Sequence, residues 1–336
     1  MSAARRLLAA AALMTAISCG DGRLPLVLYS PHGRDLLVEI ERAWEQARPE
    51  VDLRFLDMGS QEVLDRIRSE RANPQADVWF GGPKVLFSRA AKEGLLQPRR
   101  PSWAETVPAS ARDADGHWTA VYRTPTLIVF NREAVTAEEA PADWDDLLDP
   151  RWRDEVLIRD PLASGTMRTI FGHLIARADT PEAGFEWLRS LDAQTREYVH
   201  SPALLHEKLV RQEGLVTVWE MTDILGLIDR GAPIDYRFPS SGAPVIDDAV
   251  AIVAGARHAA EAAEFVDWLG SREALLLAAR EAFRLPARTD LPASQLPSWA
   301  ERVQAELRPA PVDWGRLEEE GADWMQVWDR SVRGRG

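Results

Sequence analysis

The chain has 336 residues, enough for two domains or one large one. Its composition, 46% hydrophobic and 28% charged, is that of a globular protein. Lys and Arg number 40 against 53 Asp and Glu; the net charge of −13 excludes nucleic acid and an anionic membrane surface as the main partner, while a local cleft of either sign stays open.

Residues 1–19 stand apart. A basic start, MSAARR, precedes the apolar run LLAAAALMTAI, which is too short to cross a bilayer with room to spare and reads as a secretion signal. Cys19 is the sole cysteine, so no internal disulfide can form. Its setting, Ser18-Cys19-Gly20 after the apolar run, resembles the lipobox of bacterial lipoproteins, with Ala16 where leucine is usual. That resemblance implies acylation of Cys19 and a tether to the outer face of a membrane. An ordinary secretory peptide with an incidental cysteine is the alternative.

From Leu24 onwards strands and helices alternate. PLVLYS (25–30) reads as a strand, and Leu36, Leu37, Ile40, Ala43, Trp44 and Ala47 lie on one face of the helix that follows Gly33. VDLRFLDM (51–58) is the second strand. Ser60 is expected to cap the next helix, which buries Val63, Leu64 and Ile67. ADVWFGG (76–82) is the third strand, followed by a helix through Val85, Leu86 and Ala90. Three such units predict a parallel sheet with right-handed crossovers. Residues 95–121, rich in Pro, Trp and charge, read as an irregular wrap. TPTLIVFN (124–131) is a strand again.

A second alternating run follows: VLIRD (156–160), helices at 166–178 and 182–190, REYVH (196–200), a helix at 202–213, LVTVWE (215–220) and a helix at 222–230. APVIDDAVAIVAG (243–255) closes the alternation. Residues 258–282 are helical, and two or three short helices are expected in 297–332. Two α/β domains with no flexible linker require the chain to cross between them on strands. The division expected is 25–124 with 252–336 as one lobe and 132–243 as the other, hinged near 124–131 and 244–252. A ligand would then lie in the cleft, where the carboxyl ends of strands meet helix starts.

LVLYSPHGRDLLVEIERAWEQARPEVDLRFLDMGSQEVLDRIRSERANPQADVWFGGP, TPTLIVFNREAV, DPLASGTMRTIFG and GAPVIDDAVAIVAGARHAAEAAEFVDWLGS together resemble the extracellular solute-binding proteins of ABC importers. The branch resembled is the one named for ferric ion, which also holds binders of phosphonates, sugar phosphates, thiamine and polyamines. The resemblance covers nearly all of the chain after the leader. It implies a two-lobe periplasmic-binding-protein-like (type II) α/β fold, an exported monomer that closes on one small solute, and an ABC permease in the membrane as partner. It implies no cofactor; an extracytoplasmic enzyme on the same two-lobe fold is the alternative of another class. No G-x-S-x-G, H-E-x-x-H, Walker or G-x-G-x-x-G motif occurs. Adjacent Asp247 and Asp248 on a strand point to opposite faces and suit a hinge.

Two chemistries compete for the cleft. Bare ferric ion would use a tyrosine pair in this branch, but the corresponding stretch reads VTVWEMTDIL, with Trp219, Glu220 and Asp223 and no tyrosine. His32, Glu220 and Asp223 remain as an alternative metal set, suited to a hard cation through oxygen. A phosphate- or phosphonate-bearing anion is favoured by the loops. Ser30 follows the first strand, Gly81 and Gly82 offer backbone N–H groups without side chains, and Ser164, Gly165 and Thr166 open a helix. Arg168, His200 and Ser201 are candidate helpers. Each piece has a plain structural alternative, a cap or a turn. Glu220 and Asp223 could receive an ammonium group, or simply favour a helix start. Trp79 and Trp219 could pack on a carbon skeleton or belong to the core.

Overall fold

The computed structural model describes residues 22–334. The leader and Cys19 lie outside the described residues. The first lobe begins with β1 (Leu24–Ser30), α1 (Arg34–Ala47), β2 (Val51–Asp57), α2 (Ser60–Ser69), β3 (Val78–Pro83) and α3 (Lys84–Lys92). β1 pairs with β2 and β3 in parallel, as the alternating pattern predicts. α1 forms because Leu36, Leu37, Ile40 and Trp44 give it one buried face. A short β4 (Leu96–Gln97) and the irregular wrap follow, the wrap anchored by buried Trp103 and Trp118.

β5 (Thr119–Asn131) leads into the second lobe: β6 (Val156–Arg159), α4 (Gly165–Ala176), α5 (Pro181–Asp192), β7 (Thr195–Val199), α6 (Pro202–Val210), β8 (Val216–Glu220), α7 (Met221–Asp229) and β9 (Ile234–Arg237). Three of these helices start as their local sequence dictates. Ser164, Thr180 and Ser201 accept the N–H of Met167, Ala183 and Leu204, and Pro181 and Pro202 take first positions where no N–H is missed. The chain returns through β10 (Val245–Val253), α8 (Ala259–Leu269), α9 (Arg272–Ala282) and β11 (Leu285–Pro286), and ends in α10 (Ser298–Glu306) and α11 (Trp314–Ser331).

One strand carries both lobes. Residues 119–125 of β5 pair antiparallel with β10, while 126–130 pair with β8. The chain crosses back at 238–245, where Pro244 accepts the Thr126 N–H at 3.0 Å. A third crossing lies between β11 and α10, and it corrects the expected division. Leu291 still packs on the first-lobe core, whereas Leu296, Trp299 and α11 join the second-lobe core while keeping contacts with the first, Trp299 donating to the Ala279 carbonyl of α9 and Glu318 pairing with Lys92 of α3. Residues 297–332 hold two helices, within the number expected, but α11 is long, at 18 residues. Its Trp328 meets Phe171 and Tyr198 edge-on, with ring centroids 5.6 and 5.0 Å away. Apolar burial decides the placement, and it pairs residues some 150 positions apart, out of reach of any local pattern.

Asp247 and Asp248 face opposite ways on β10. Asp247 takes the Lys84 Nζ at 2.7 Å, both side chains buried, and the same ammonium donates to the Ser110 carbonyl at 2.7 Å. Asp248 accepts the Gly82 N–H at 3.1 Å and the Thr124 hydroxyl. Removing one partner of a buried pair leaves an uncompensated charge. Lys84→Met is therefore expected to lower stability by about 3–5 kcal/mol in urea unfolding, with Lys84→Met/Asp247→Asn losing less than the sum of the two single changes.

Candidate functional site

Between the lobes lies a cleft of about 600 Å3. Six helices begin on it, α1, α2 and α3 from the first lobe and α4, α6 and α7 from the second. This follows from the parallel units, which bring helix starts to the carboxyl ends of strands. Each start presents unpaired N–H groups and a partial positive charge.

Ser164, Gly165 and Thr166 line the cleft, as do His32, Gly82, His200, Ser201, Trp219, Glu220 and Asp223. The structure brings these ten expected residues to one place. Their hydrogen bonds refine what each can offer. The Ser164 hydroxyl is spent on its own helix, 3.2 Å from the Met167 N–H, and the Ser201 hydroxyl likewise on Leu204. The Gly165 N–H donates to the Ser60 hydroxyl of the opposite lobe at 3.1 Å. Ser60 is thus the first residue of α2, not its cap, and it joins the two lobes.

Four expectations need correction. Ser30 is fully buried; its hydroxyl donates to the Phe80 carbonyl at 2.6 Å and accepts the His32 N–H at 3.1 Å, tying β1 to β3 below the cleft. Gly81 does not line the cleft. It has a φ of +98°, and a Cβ there would fall 2.4 Å from His32 Nε2. The Gly82 amide reaches the wall but is occupied by Asp248. Arg168 turns away, donating to the Pro161 and Leu162 carbonyls at 2.9 and 2.8 Å. Trp79 is core, stacked 4.0 Å from Phe87.

Arg159 was hidden in the apolar run VLIRD, yet it lines the cleft with 6% of its surface exposed. Its Nη1 donates to the Val199 carbonyl at 3.3 Å, and its Nε has no partner. Burial works against its charge, which Asp160 and Glu62 support. Asp57 and His206 also line the cleft and gave no signal beyond their positions after a strand and on a helix.

The acidic side is built by both lobes. Burial and then Asp223 push Glu220 up to about 8, with Arg284 acting the other way. Asp57 is raised by burial and by Asp223. Asp223 accepts the Trp219 Nε1–H at 2.8 Å, and Thr222 donates to Glu220 at 2.9 Å.

His32, Glu220 and Asp223 do not form a compact metal set. Among the described residues, the group with three ligand atoms within 4.8 Å of one another is Asp113, Asp115 and His117, on the first-lobe wrap. Burial holds His32 well below the usual histidine range, and its Nε2 abuts Gly81. No tyrosine lines the cleft among the described residues.

The family model described as bacterial extracellular solute-binding protein matches residues 73–318. A probable ABC transporter periplasmic-binding protein of Sinorhizobium fredii is 27% identical over 315 residues, covering 92% of this chain and 86% of that one. A putative 2-aminoethylphosphonate-binding periplasmic protein of Salmonella typhimurium is 24% identical over 72% of this chain and 71% of its own. Iron uptake protein A1 of Synechocystis is 25% identical over 72% and 70%. In fold, the periplasmic binding protein AfuA of Actinobacillus pleuropneumoniae, solved with fructose-6-phosphate, superposes with a TM-score of 0.83 at 24% identity, over 94% of this chain and all of that one. With two lobes joined by β5 and a family match spanning most of its length, the chain belongs to the bacterial extracellular solute-binding proteins.

Proposed function

We propose that this solute-binding protein serves an ABC importer and captures a small solute bearing a phosphoryl group. The observation that carries the reading is Arg159, a nearly buried guanidinium on a residue that lines the cleft, its enclosed Nε without a partner. A buried guanidinium keeps its charge and is costly without an acceptor. A phosphoryl oxygen supplies that acceptor and also suits the positive ends of α4 and α6. Relatives named for an aminoalkyl phosphonate, and a similar fold holding a sugar phosphate, support the same class.

Capture would act on the lobes by mass action. A solute touching both lobes favours whichever arrangement allows both sets of contacts. The Ser60–Gly165 hydrogen bond already spans the cleft, and Asp35 meets Arg230 across its mouth at 3.4 Å, an exposed pair of little energetic weight. The closed form would then dock on the permease.

The carboxylates Asp57, Glu220 and Asp223 favour a second reading, a hard cation such as ferric ion. Thermal unfolding with inorganic phosphate, ethylphosphonate, fructose 6-phosphate and ferric citrate separates the two. A phosphoryl compound is expected to raise the melting temperature. Loss of one charge-assisted hydrogen bond in Arg159→Met should weaken that compound about 10- to 100-fold. Stabilisation by ferric citrate alone would sink the phosphoryl reading.

Export and a lipid tether at Cys19 belong to the same proposal, on the strength of the leader sequence. Cys19→Ser is expected to move the protein from the membrane fraction of expressing cells to the soluble one. Equal partition of both forms would remove the tether.

A further inference from the structure

Arg284 lies between α9 and β11, beneath the cleft, with 3% of its surface exposed. Its Nε and Nη1 have no acceptor. Its location follows from strand register. Leu285 pairs with Arg123 of β5, so Arg284 comes opposite Thr124. Glu220 pairs with Thr126, and Asp248 with Tyr122. Residues 122, 124 and 126 share one face of β5, because side chains alternate. The hydrogen bond from Thr124 to Asp248 lies on that face.

Edges agree as well. Thr126 donates its N–H to Pro244, on the β10 side, and Asn131 donates to Leu215, on the β8 side. Their odd separation puts β8 on the edge opposite β10, and β11 is there too, since β10 and β11 both pair with Tyr122 and Arg123. Arg284 and Glu220 therefore sit end to end along one edge, two residues of β5 apart, roughly 7 Å. Arg284 belongs to the first-lobe sheet and Glu220 to the second.

The charged groups around Glu220 are Asp223 on α7, Asp248 on β10 and Arg284. Tyr122 and His32 flank the guanidinium with unpartnered buried atoms, and Asp247 is committed to Lys84 on the other face. Among the described residues, Arg284 is the cation that acts on Glu220. Burial and Asp223 raise Glu220 and Arg284 opposes them, so the guanidinium shifts the pH at which it meets the solute as carboxylate in place of carboxyl.

We propose that Arg284 is a positioning residue that sets what Glu220 recognises, lowering the pH at which it turns from donor to acceptor, so that above that pH the solute presents a hydrogen-bond donor, hydroxyl or ammonium, beside its phosphoryl group. This rests on the phosphoryl reading above. Glu220 and Arg159 end β8 and β6, neighbouring parallel strands whose register sets Arg159 one residue short of Glu220, and both residues line the cleft.

Calorimetric titration of the whole protein with ethylphosphonate, 2-hydroxyethylphosphonate and 2-aminoethylphosphonate tests it. At least one donor-bearing compound should bind about tenfold tighter than ethylphosphonate, one well-placed hydrogen bond's worth. That gain should grow as pH rises through about 8, where Glu220 loses its proton. Arg284→Met should move that rise to higher pH, and Arg284→Lys should restore it. A gain that survives Arg284→Met with its pH profile unchanged, or equal losses for all three compounds, overturns the proposal. If no phosphonate binds, the phosphoryl reading fails on its own. The carbon NMR titration of Glu220 in ligand-free protein then decides the role of Arg284. A higher midpoint in Arg284→Met is expected, and identical midpoints overturn it.

Discussion

The fold hangs on the register of β5. Its first half completes one sheet and its second half another, and the break falls at Pro125, which has no N–H to give to either. Neighbouring Thr126 bonds back to Pro244, and Thr124 bonds sideways to Asp248. Period-two alternation then assigns the residues. Tyr122, Thr124 and Thr126 share the face that Asp248 and Glu220 also occupy. A slip of one residue would turn that polar face over and bury it in the wrong layer. The cleft floor is therefore a consequence of strand pairing, and hydrogen bonds to Asp248 from both Gly82 and Thr124 hold the register in place.

On that floor two opposing fields meet. Six helix starts and Arg159 favour negative charge, while Asp57, Glu220 and Asp223 disfavour more of it. A chain with a charge of −13 draws an anion inward only through such local fields, which fade within about 8 Å at physiological salt. Inside the cleft screening is weaker and the geometry of individual donors decides. Glu220 expresses the conflict: burial and Asp223 raise its proton affinity and Arg284 lowers it. The pairing of a fixed guanidinium at Arg159 with adjustable carboxylates one strand away allows one cleft to receive unlike groups of the same small solute.

Much of this was legible locally. Ser164, Thr180 and Ser201 cap the helices whose starts they mark, and the alternation of strands and helices through residue 230 follows the apolar pattern. What escaped was set by distant contacts. Ser60 has the chemistry of a cap, but its acceptor oxygen serves Gly165, 105 positions away. Arg159 sits in a run that reads as a buried strand, and only the open edge of the cleft shows that its Nε is unspent. Arg168 has the right spacing to face the ligand, yet two carbonyls of its own loop hold it back. The tail reads as part of the first lobe, yet Trp324 and Trp328 of α11 fill the second, while Trp314 stays under Lys84 of the first. The expected metal set failed for the same reason, since nothing in spacing shows that His32 points its Nε2 at Gly81.

The seam between lobes is narrow enough that glycine is required on both sides. A Cβ on Gly165 would lie 2.3 Å from Ser60 Oγ, and one on Gly59 would lie 2.7 Å from the Ala163 carbonyl. The first N–H of α4, the strongest donor an anion could find there, is consequently held by a neutral hydroxyl from the other lobe. A phosphoryl oxygen arriving at that amide exchanges one acceptor for another, so its gain is the difference between a charged and a neutral hydrogen bond. It also displaces or recruits Ser60, the contact that already links the lobes. On the phosphoryl reading, binding strength and lobe geometry would be coupled at that amide, and a neutral hydroxyl in that place would leave the larger share of the binding energy to the solute.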